Sequence, residues 1–199
     1  MAHPTRRPRR HAPPETRRAE ILSAALSCFA ERGFHETTMD DLVRASGLSK
    51  GSLYWHFTSK VEVFLGVFDL IVERIARGLD EIEAESGSVP EALCAQCALM
   101  VETLSGERTL LFAWSEFLTH PEARRRMAEI YRWSRQRFAD EIARGVERGQ
   151  IRREAAEGLP STLTALVEGT LIQAMMDEGF DPRTALAASW DVLFQGIRP

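Results

Sequence analysis

The chain has 199 residues, of which 44% are hydrophobic and 27% are charged. This composition is typical of a globular protein that can bury a core, in one domain or two small ones. No run of about 18 apolar residues occurs, so no membrane partner is expected, and the Arg-rich start lacks the apolar segment of a secretory signal. Three cysteines, an odd number, argue against a disulfide framework and favour a reducing, cytoplasmic location.

The net charge of −4 is unevenly distributed. The head (residues 1–60) contains ten Lys and Arg and six Asp and Glu, a net +4. The body (residues 61–199) contains 15 Lys and Arg and 23 Asp and Glu, a net −8. A basic head on an acidic body predicts that the head alone contacts a polyanion.

The head begins with a Pro- and Arg-rich segment, residues 1–14, which predicts a disordered basic arm. This arm either follows phosphates or a minor groove, or adds only non-specific affinity. From Glu15 the apolar residues recur at helical spacing, and Gly33 predicts the end of that helix. Thr38, with an acid three residues later, predicts the N-cap of a second helix that ends at Gly47.

A third, very short helix is predicted from the cap Ser49 to about Phe57. Ser59 and Glu62 form a capping box for a fourth, long helix that runs toward Glu85. Three short helices with a Gly-Leu turn between the second and third form a helix-turn-helix.

The body is also predicted to be helical. Gly87 and Pro90 break the chain, and no convincing period-2 strand or internal repeat follows. The fold class is therefore all-α, with about nine helices in total. The predicted body helices after the fourth span residues 92–104, 107–118, 121–148 and 161–178, and a last one begins at Asp181-Pro182.

The third helix carries the sequence SKGSLYWHFTSK at residues 49–60. With Leu53 pointing inward, Phe57 lies on nearly the same face, because the two are four residues apart. Gly51 and Trp55 then lie opposite the core. An outward tryptophan predicts a partner surface, and the glycine leaves room for close approach.

A DNA major groove fits this helix, because its width admits one α-helix whose N-terminal residues reach base edges. Lys50 can donate to guanine or phosphate, and Trp55 can contact a thymine methyl. Lys60 lies at the start of the fourth helix, where free N–H groups favour an anion. The candidate DNA contacts are Thr38, Lys50, Gly51, Ser52, Tyr54, Trp55, His56 and Lys60.

Residues 15–65 resemble the DNA-binding domain of the tetracycline-repressor (TetR) family of bacterial regulators. The stretches that carry the resemblance are AALSCFAERGF, TTMDDLVRASGLSKGSLYWHFTSK and the opening of the fourth helix. The resemblance implies a helix-turn-helix DNA-binding domain at 15–60 and a helical effector-binding and dimerisation domain at 61–199. One departure matters: Met39 stands where the tetracycline repressor has a base-reading arginine, so that repressor's operator is not assumed here.

The last two helices each carry an apolar stripe. The resemblance implies a homodimer through a four-helix bundle of these helices, which would read the two half-sites of a palindromic operator. The alternative is that the stripes pack only against their own chain. The candidate interface residues are Leu163, Leu166, Val167 and Leu171 on one helix, and Leu186, Trp190, Leu193 and Phe194 on the other.

The resemblance also implies an effector pocket between the head and the dimer interface. Its soft, aromatic lining would suit an apolar or aromatic small molecule. The alternative is an ordinary core. The candidate lining residues are Cys97, Met100, Phe112, Trp114, Phe117, Tyr131 and Met175, with Glu116, His120 and Glu168 as candidate polar anchors.

Motifs for other chemistry are weak. Cys94 and Cys97 have metal-ligand spacing, but no second pair or histidine cluster accompanies them, so no metal or cofactor is expected. No phosphate-binding loop or nucleophile motif occurs, so the chain is not expected to be an enzyme. The sequence thus predicts a ligand-responsive dimeric repressor. The alternatives are an activator or a non-specific architectural DNA-binding protein.

Overall fold

A computed structural model describes residues 13–106, 115 and 118–199. Over these residues the chain contains α-helices and one short 3-10 turn, without strands, which confirms the all-α fold. None of the described helices is both long and apolar enough to cross a membrane. The helices are α1 (Pro14–Glu36), α2 (Met39–Ser46), α3 (Lys50–His56), α4 (Lys60–Glu85), α5 (Val89–Ser105), α6 (Pro121–Glu147), α7 (Leu159–Met176) and α8 (Pro182–Ile197).

Two predicted segments lie wholly or mostly outside the described residues. These are the basic arm, of which only residues 13 and 14 are described, and the helix predicted at 107–118. Pro14 is the first residue of α1, where its missing N–H costs no hydrogen bond.

Local signals fix the helix ends in the head. The helical course of α1 breaks at Gly33, whose φ of 77° suits a residue without a Cβ. The Thr38 hydroxyl accepts a hydrogen bond from the Asp41 N–H, and the Asp41 carboxylate accepts one from the Thr38 N–H, which completes a capping box. Gly47 ends α2 in the left-handed region, and Ser49 caps α3.

The head and the start of α4 share one core. Leu53 and Phe57, the inward residues of α3, are buried there. The ring of Phe64 on α4 meets that of Phe29 on α1 edge to face, with 4.7 Å between centroids. This packing joins α4 rigidly to the helices that precede it.

Two predicted helix starts and one predicted cap differ from the structure. Pro90 does not break the chain but lies in the first turn of α5, whose N-cap is Ser88. The helix predicted over 161–178 begins two residues earlier, at Leu159, with a proline in its first turn. In both cases the reason is that proline fits the first helical turn, where its N–H is not needed.

The third difference lies at the start of α4. The Ser59 hydroxyl accepts from the Glu62 N–H, as predicted, but the Glu62 carboxylate does not return to the Ser59 N–H. It accepts instead from the backbone N–H and the hydroxyl of Thr58, at 2.7 and 2.9 Å. The predicted box is therefore a serine cap with a separate glutamate contact one residue earlier.

In the body, α5 is the central helix and packs against α4, α6, α7 and α8. The contact between α4 and α6 differs from the contacts of α5, because ion pairs join α4 to α6. Arg126 pairs with Asp69, and Arg137 pairs with Asp80 and Glu83. This arrangement leaves space between α4 and α6, described below.

Candidate nucleic-acid interface and cavity

The outward face of α3 has the predicted orientation. Trp55 is 72% exposed and Tyr54 is 41% exposed, whereas Leu53 is fully buried. A Cβ added at Gly51 would meet no atom within 4 Å, so the backbone there is open to a partner. The structure thus brings an exposed aromatic surface and an accessible backbone together on the outward side of α3.

Lys50 lies at the edge of this face, in the first turn of α3. Its ammonium donates to the exposed carboxylate of Asp40 at 2.9 Å, and that hydrogen bond raises the pKa of Lys50. The ammonium also lies 6.0 Å from the centroid of the Tyr54 ring. Because both partners of the ion pair are exposed, a phosphate or a base edge can replace Asp40 at little cost.

His56 and Ser52 form the side of the face that meets α1. The Ser52 hydroxyl accepts a long hydrogen bond of 3.5 Å from Arg17. Burial lowers the pKa of His56, and Arg17 and Arg18 lower it further, which favours the neutral imidazole. The rings of His56 and Trp55 meet edge to face at 4.5 Å, which restricts the orientation of the tryptophan.

Two of the predicted phosphate contacts have internal partners. Thr38 is exposed, and its hydroxyl bonds to Asp41. The Lys60 ammonium donates to the carbonyls of Phe34 and His35 at 2.7 and 3.0 Å, and lies 4.5 Å from the Phe34 ring centroid. Lys60 therefore ties α4 to the end of α1. The phosphate contacts of Thr38 and Lys60 stay predictions.

The predicted effector-pocket residues do not line one described space. Cys97 and Met100 are buried in the core of the body, and Met175 is half-buried on α7. The Tyr131 hydroxyl donates to Glu168, and burial and that carboxylate raise the pKa of the tyrosine. Four further candidates lie outside the described residues: Phe112, Trp114, Glu116 and Phe117.

The predicted interface stripes on α7 and α8 are largely covered within a single chain. Those buried in the core are Leu163, Val167, Leu171, Leu186 and Trp190, and those half-buried are Leu166, Leu193 and Phe194. Other large apolar residues of the same helices are exposed instead. They are Ile172 at 49%, Met176 at 74% and Val192 at 74%.

A cavity of about 410 Å³ lies between α4 and α6. On each helix its lining residues follow the spacing i, i+3, i+4, i+7, which places them on one face. That spacing is readable in the sequence, but it does not reveal that α4 faces α6 across a gap, so sequence reasoning missed this site. The lining residues are Asp69, Val72, Glu73 and Ala76 on α4, and Arg126, Glu129, Ile130 and Trp133 on α6.

A buried amide lies on the α5 side of the body. Gln96 is fully buried, and neither polar atom of its side chain has a hydrogen-bond partner among the described residues. On α5 it lies between Leu99, which abuts Gly78 of α4, and Val89, which abuts Gly145 of α6. Since an unpaired buried amide costs about 1–3 kcal/mol, Gln96 is a further candidate ligand contact.

The two cysteines with metal-ligand spacing are free thiols. Cys97 is buried, which raises the pKa of its thiol to about 12, and burial also raises the pKa of Cys94. In the described part of the chain no group of three or more His, Cys, Asp or Glu side chains could hold a metal ion.

Comparison with known protein families identifies both halves of this architecture. Residues 21–67 match the model of bacterial regulatory proteins of the tetR family. Residues 89–193, more than half of the chain, match the C-terminal domain of BetI-type transcriptional repressors. The chain belongs to the TetR family. Since members of this family are transcriptional regulators that bind DNA, the α3 face of this TetR-family regulator lies within its DNA-binding domain.

Individual relatives agree with this assignment. The chain is 31% identical over 142 residues, 69% of each chain, to YfiR, an uncharacterised HTH-type transcriptional regulator of Bacillus subtilis. Two solved structures share the fold. A transcriptional regulator from Saccharomonospora viridis in complex with choline is 24% identical, with a TM-score of 0.78 over 92% of this chain and 98% of that chain. The regulator FadR from Bacillus subtilis in complex with stearoyl-CoA is 20% identical, with a TM-score of 0.75 over 90% and 99%.

Proposed function

We propose that this TetR-family regulator is a ligand-responsive dimeric repressor that binds a palindromic operator in the cytoplasm. The exposed face of α3 carries the proposal. Trp55 is 72% exposed beside the open backbone of Gly51, and Lys50 is held there by a solvent-exposed ion pair with Asp40 and by the Tyr54 ring. An apolar ring, an accessible backbone and a cation on one short helix suit thymine methyls, base edges and phosphates.

Exposed apolar residues on α7 and α8 support the dimer. Ile172, Met176 and Val192 are large and accessible in the single chain, and a protein–protein interface would cover such exposed apolar side chains. Pairing α7 and α8 with their copies would form the four-helix bundle. Because the pairing is two-fold, it would present two α3 helices to the two half-sites of an operator.

The course of α4 supports a ligand response. Its first turns are fixed in the head, since Val63 and Phe64 are fully buried there. Its middle forms one wall of the 410 Å³ cavity. A ligand that binds better when α4 is displaced from α6 would therefore shift the population away from the DNA-binding arrangement of the two heads.

A second contact connects the cavity with the head. His120, the N-cap of α6, packs its ring against Phe34 at the end of α1, with 5.4 Å between centroids. Phe34 in turn meets the ammonium of Lys60 at the start of α4. Both walls of the cavity thus reach the head through the same aromatic side chain.

The cavity is the proposed effector site. Val72, Ile130 and Trp133 give it the apolar and aromatic surface that an apolar or aromatic effector would bury. The two fold neighbours hold molecules as different as choline and stearoyl-CoA, so the fold alone does not select the ligand. Cys97, Met100, Tyr131 and Met175 stay predicted contacts for a larger or deeper ligand.

The test is fluorescence anisotropy of the full-length protein on DNA from upstream of its own gene. Trp55→Ala should weaken binding about five- to 150-fold, because a lost base contact costs roughly 1–3 kcal/mol. Trp55→Phe, which keeps an aromatic ring, should recover part of the loss. Unchanged thermal unfolding would show that both variants are folded.

Scrambled DNA serves as the control for sequence reading. Equal affinity for both DNAs, with a steep salt dependence and no effect of Trp55→Ala, would support a non-specific architectural binder instead. A reporter gene behind the bound DNA distinguishes the remaining alternative, since a repressor lowers its expression and an activator raises it.

A further inference from the structure

The ion pairs between α4 and α6 fix the register of the two cavity walls. Arg126 pairs with Asp69, and Arg137 pairs with Asp80, in each case 57 positions apart in the chain. These two pairs, together with Arg137–Glu83 and Arg144–Glu83 at offsets of 54 and 61, mean that the helices run parallel with an offset near 57. With this offset, Glu73 lies level with Ile130, and Ala76 lies level with Trp133.

The cavity begins at the Asp69–Arg126 ion pair and lies before the Asp80–Arg137 pair along the two helices. Asp69 and Arg126 form its first boundary, with 2.8 Å between the Arg126 Nε and the carboxylate. Eleven residues further along each helix, Arg137 bonds Asp80 at 2.7 Å. At 1.5 Å per residue, about 16 Å of helix separates the two pairs, enough for a small organic molecule.

The charges on the walls do not cancel. Three carboxylates, those of Asp69, Glu73 and Glu129, line the cavity beside one guanidinium. Arg126 is already shared between Asp69 and Glu129, the latter at 3.1 Å. The Glu73 carboxylate has no hydrogen-bond or ion-pair partner within the described ranges. The excess negative charge would repel an anion and attract a cation.

Besides the excess negative charge, Trp133 supplies an aromatic ring that a cation can contact. An indole ring attracts a positive charge over its face, and this attraction does not need a hydrogen-bond donor on the ligand. Trp133 lies on the same face of α6 as Ile130, about one helical turn from the level of Glu73. Val72, Ala76 and Ile130 would contact the apolar part of the molecule.

We infer that the α4–α6 cavity binds an organic cation with an apolar body, its charge held by Glu73 and the Trp133 ring. The inference names the effector class of the cavity and rests on the proposed function. It favours quaternary ammonium, phosphonium or protonated amine compounds with apolar groups, and disfavours fatty acids and their thioesters.

The probes are tetraphenylphosphonium and tetraphenylborate, two ions of closely similar shape and opposite charge. Calorimetry with the full-length protein should show that the phosphonium ion binds at least about tenfold more tightly than the borate ion. Glu73→Gln should weaken phosphonium binding about two- to fivefold, the effect of one partly screened charge, and should not weaken borate binding. Trp133→Leu should also weaken phosphonium binding.

Glu81→Gln is the matched control, because Glu81 is an exposed carboxylate on α4 outside the cavity. It should leave both affinities unchanged. Equal affinity for the two ions, tighter binding of the borate ion, no binding of either ion, or phosphonium binding insensitive to both Glu73→Gln and Trp133→Leu would overturn the inference. None of these results would affect Trp55-dependent DNA binding, so failure of the ligand class is distinguishable from failure of the proposed function.

Discussion

The polar contacts inside the head and those inside the body join residues at different separations along the chain. In the head, Asp41 bonds Thr38, three residues away, and Arg32, nine residues away. In the body, Arg126 and Asp69 are 57 residues apart in the chain. The caps and ion pairs of the head join residues at most ten positions apart, and longer contacts join Arg17 with Ser52 and Lys60 with Phe34. The shape of the body depends instead on where whole helices lie relative to one another. In the proposed ligand response, this difference would let a locally fixed reader, the head, be moved by a deformable sensor, the body.

The largest effect is expected inside the body. Leu163 on α7 is fully buried, so Leu163→Ala should lower the free energy of unfolding by about 2–5 kcal/mol, because it removes apolar contacts and leaves a cavity. Denaturant unfolding measures this loss, and Leu163→Met, of similar volume, should cost less than about 1.5 kcal/mol. The opposite result would be a dimer that dissociates while the protomer keeps its free energy of unfolding. Leu163 would then be an interface residue, as the sequence alone predicts.

A weaker effect is expected on the outer face of the same helix. Met176 is 74% exposed, so Met176→Glu should leave protomer unfolding nearly unchanged and weaken the dimer at least about tenfold, because two charges would be buried across the two-fold axis. Sedimentation measures the dissociation constant, and Met176→Leu is the apolar control. A dimer that survives Met176→Glu would place the interface away from the end of α7.

The sequence predicts the head better than the body for the same physical reason. The Thr38 cap, the left-handed Gly47 and the outward Trp55 follow from neighbours a few residues away, so local patterns identify them. The described helices of the body are predictable too, because each carries its own apolar spacing, apart from the starts at Val89 and Leu159.

Which faces of those helices meet is not a local property. The apolar stripes that include Leu163 on α7 and Trp190 on α8 pack within the chain, and Met176 and Val192 remain exposed. No pattern within α4 or α6 indicates that Glu73 and Trp133 line the same cavity. Amphipathic spacing predicts that a face is buried, but its partner is decided by packing over the whole body.

The smallest effect is expected in the head, at acid pH. The hydroxyl and backbone N–H of Thr38 and the guanidinium of Arg44 lower the pKa of Asp41 to about 2. In the unfolded chain the pKa of this carboxyl is about 3.9. Because the folded value is the lower one, the stabilisation is complete above pH 4 and is lost as the pH falls toward 2.

Asp41→Asn should therefore unfold more easily than the parent at pH 5 to 7, and the difference should shrink as the pH is lowered from 4 to 2. Urea unfolding at a series of pH values measures it, with Glu81→Gln as the exposed control. Asp41 has its partners within nine residues, so the loss should accompany a loosening of α2 without opening the α4–α6 cavity. Hydrogen exchange that increased equally in α2 and along α4 would show that the head and the body unfold as one unit, and the distinction between a locally fixed reader and a deformable sensor would fail.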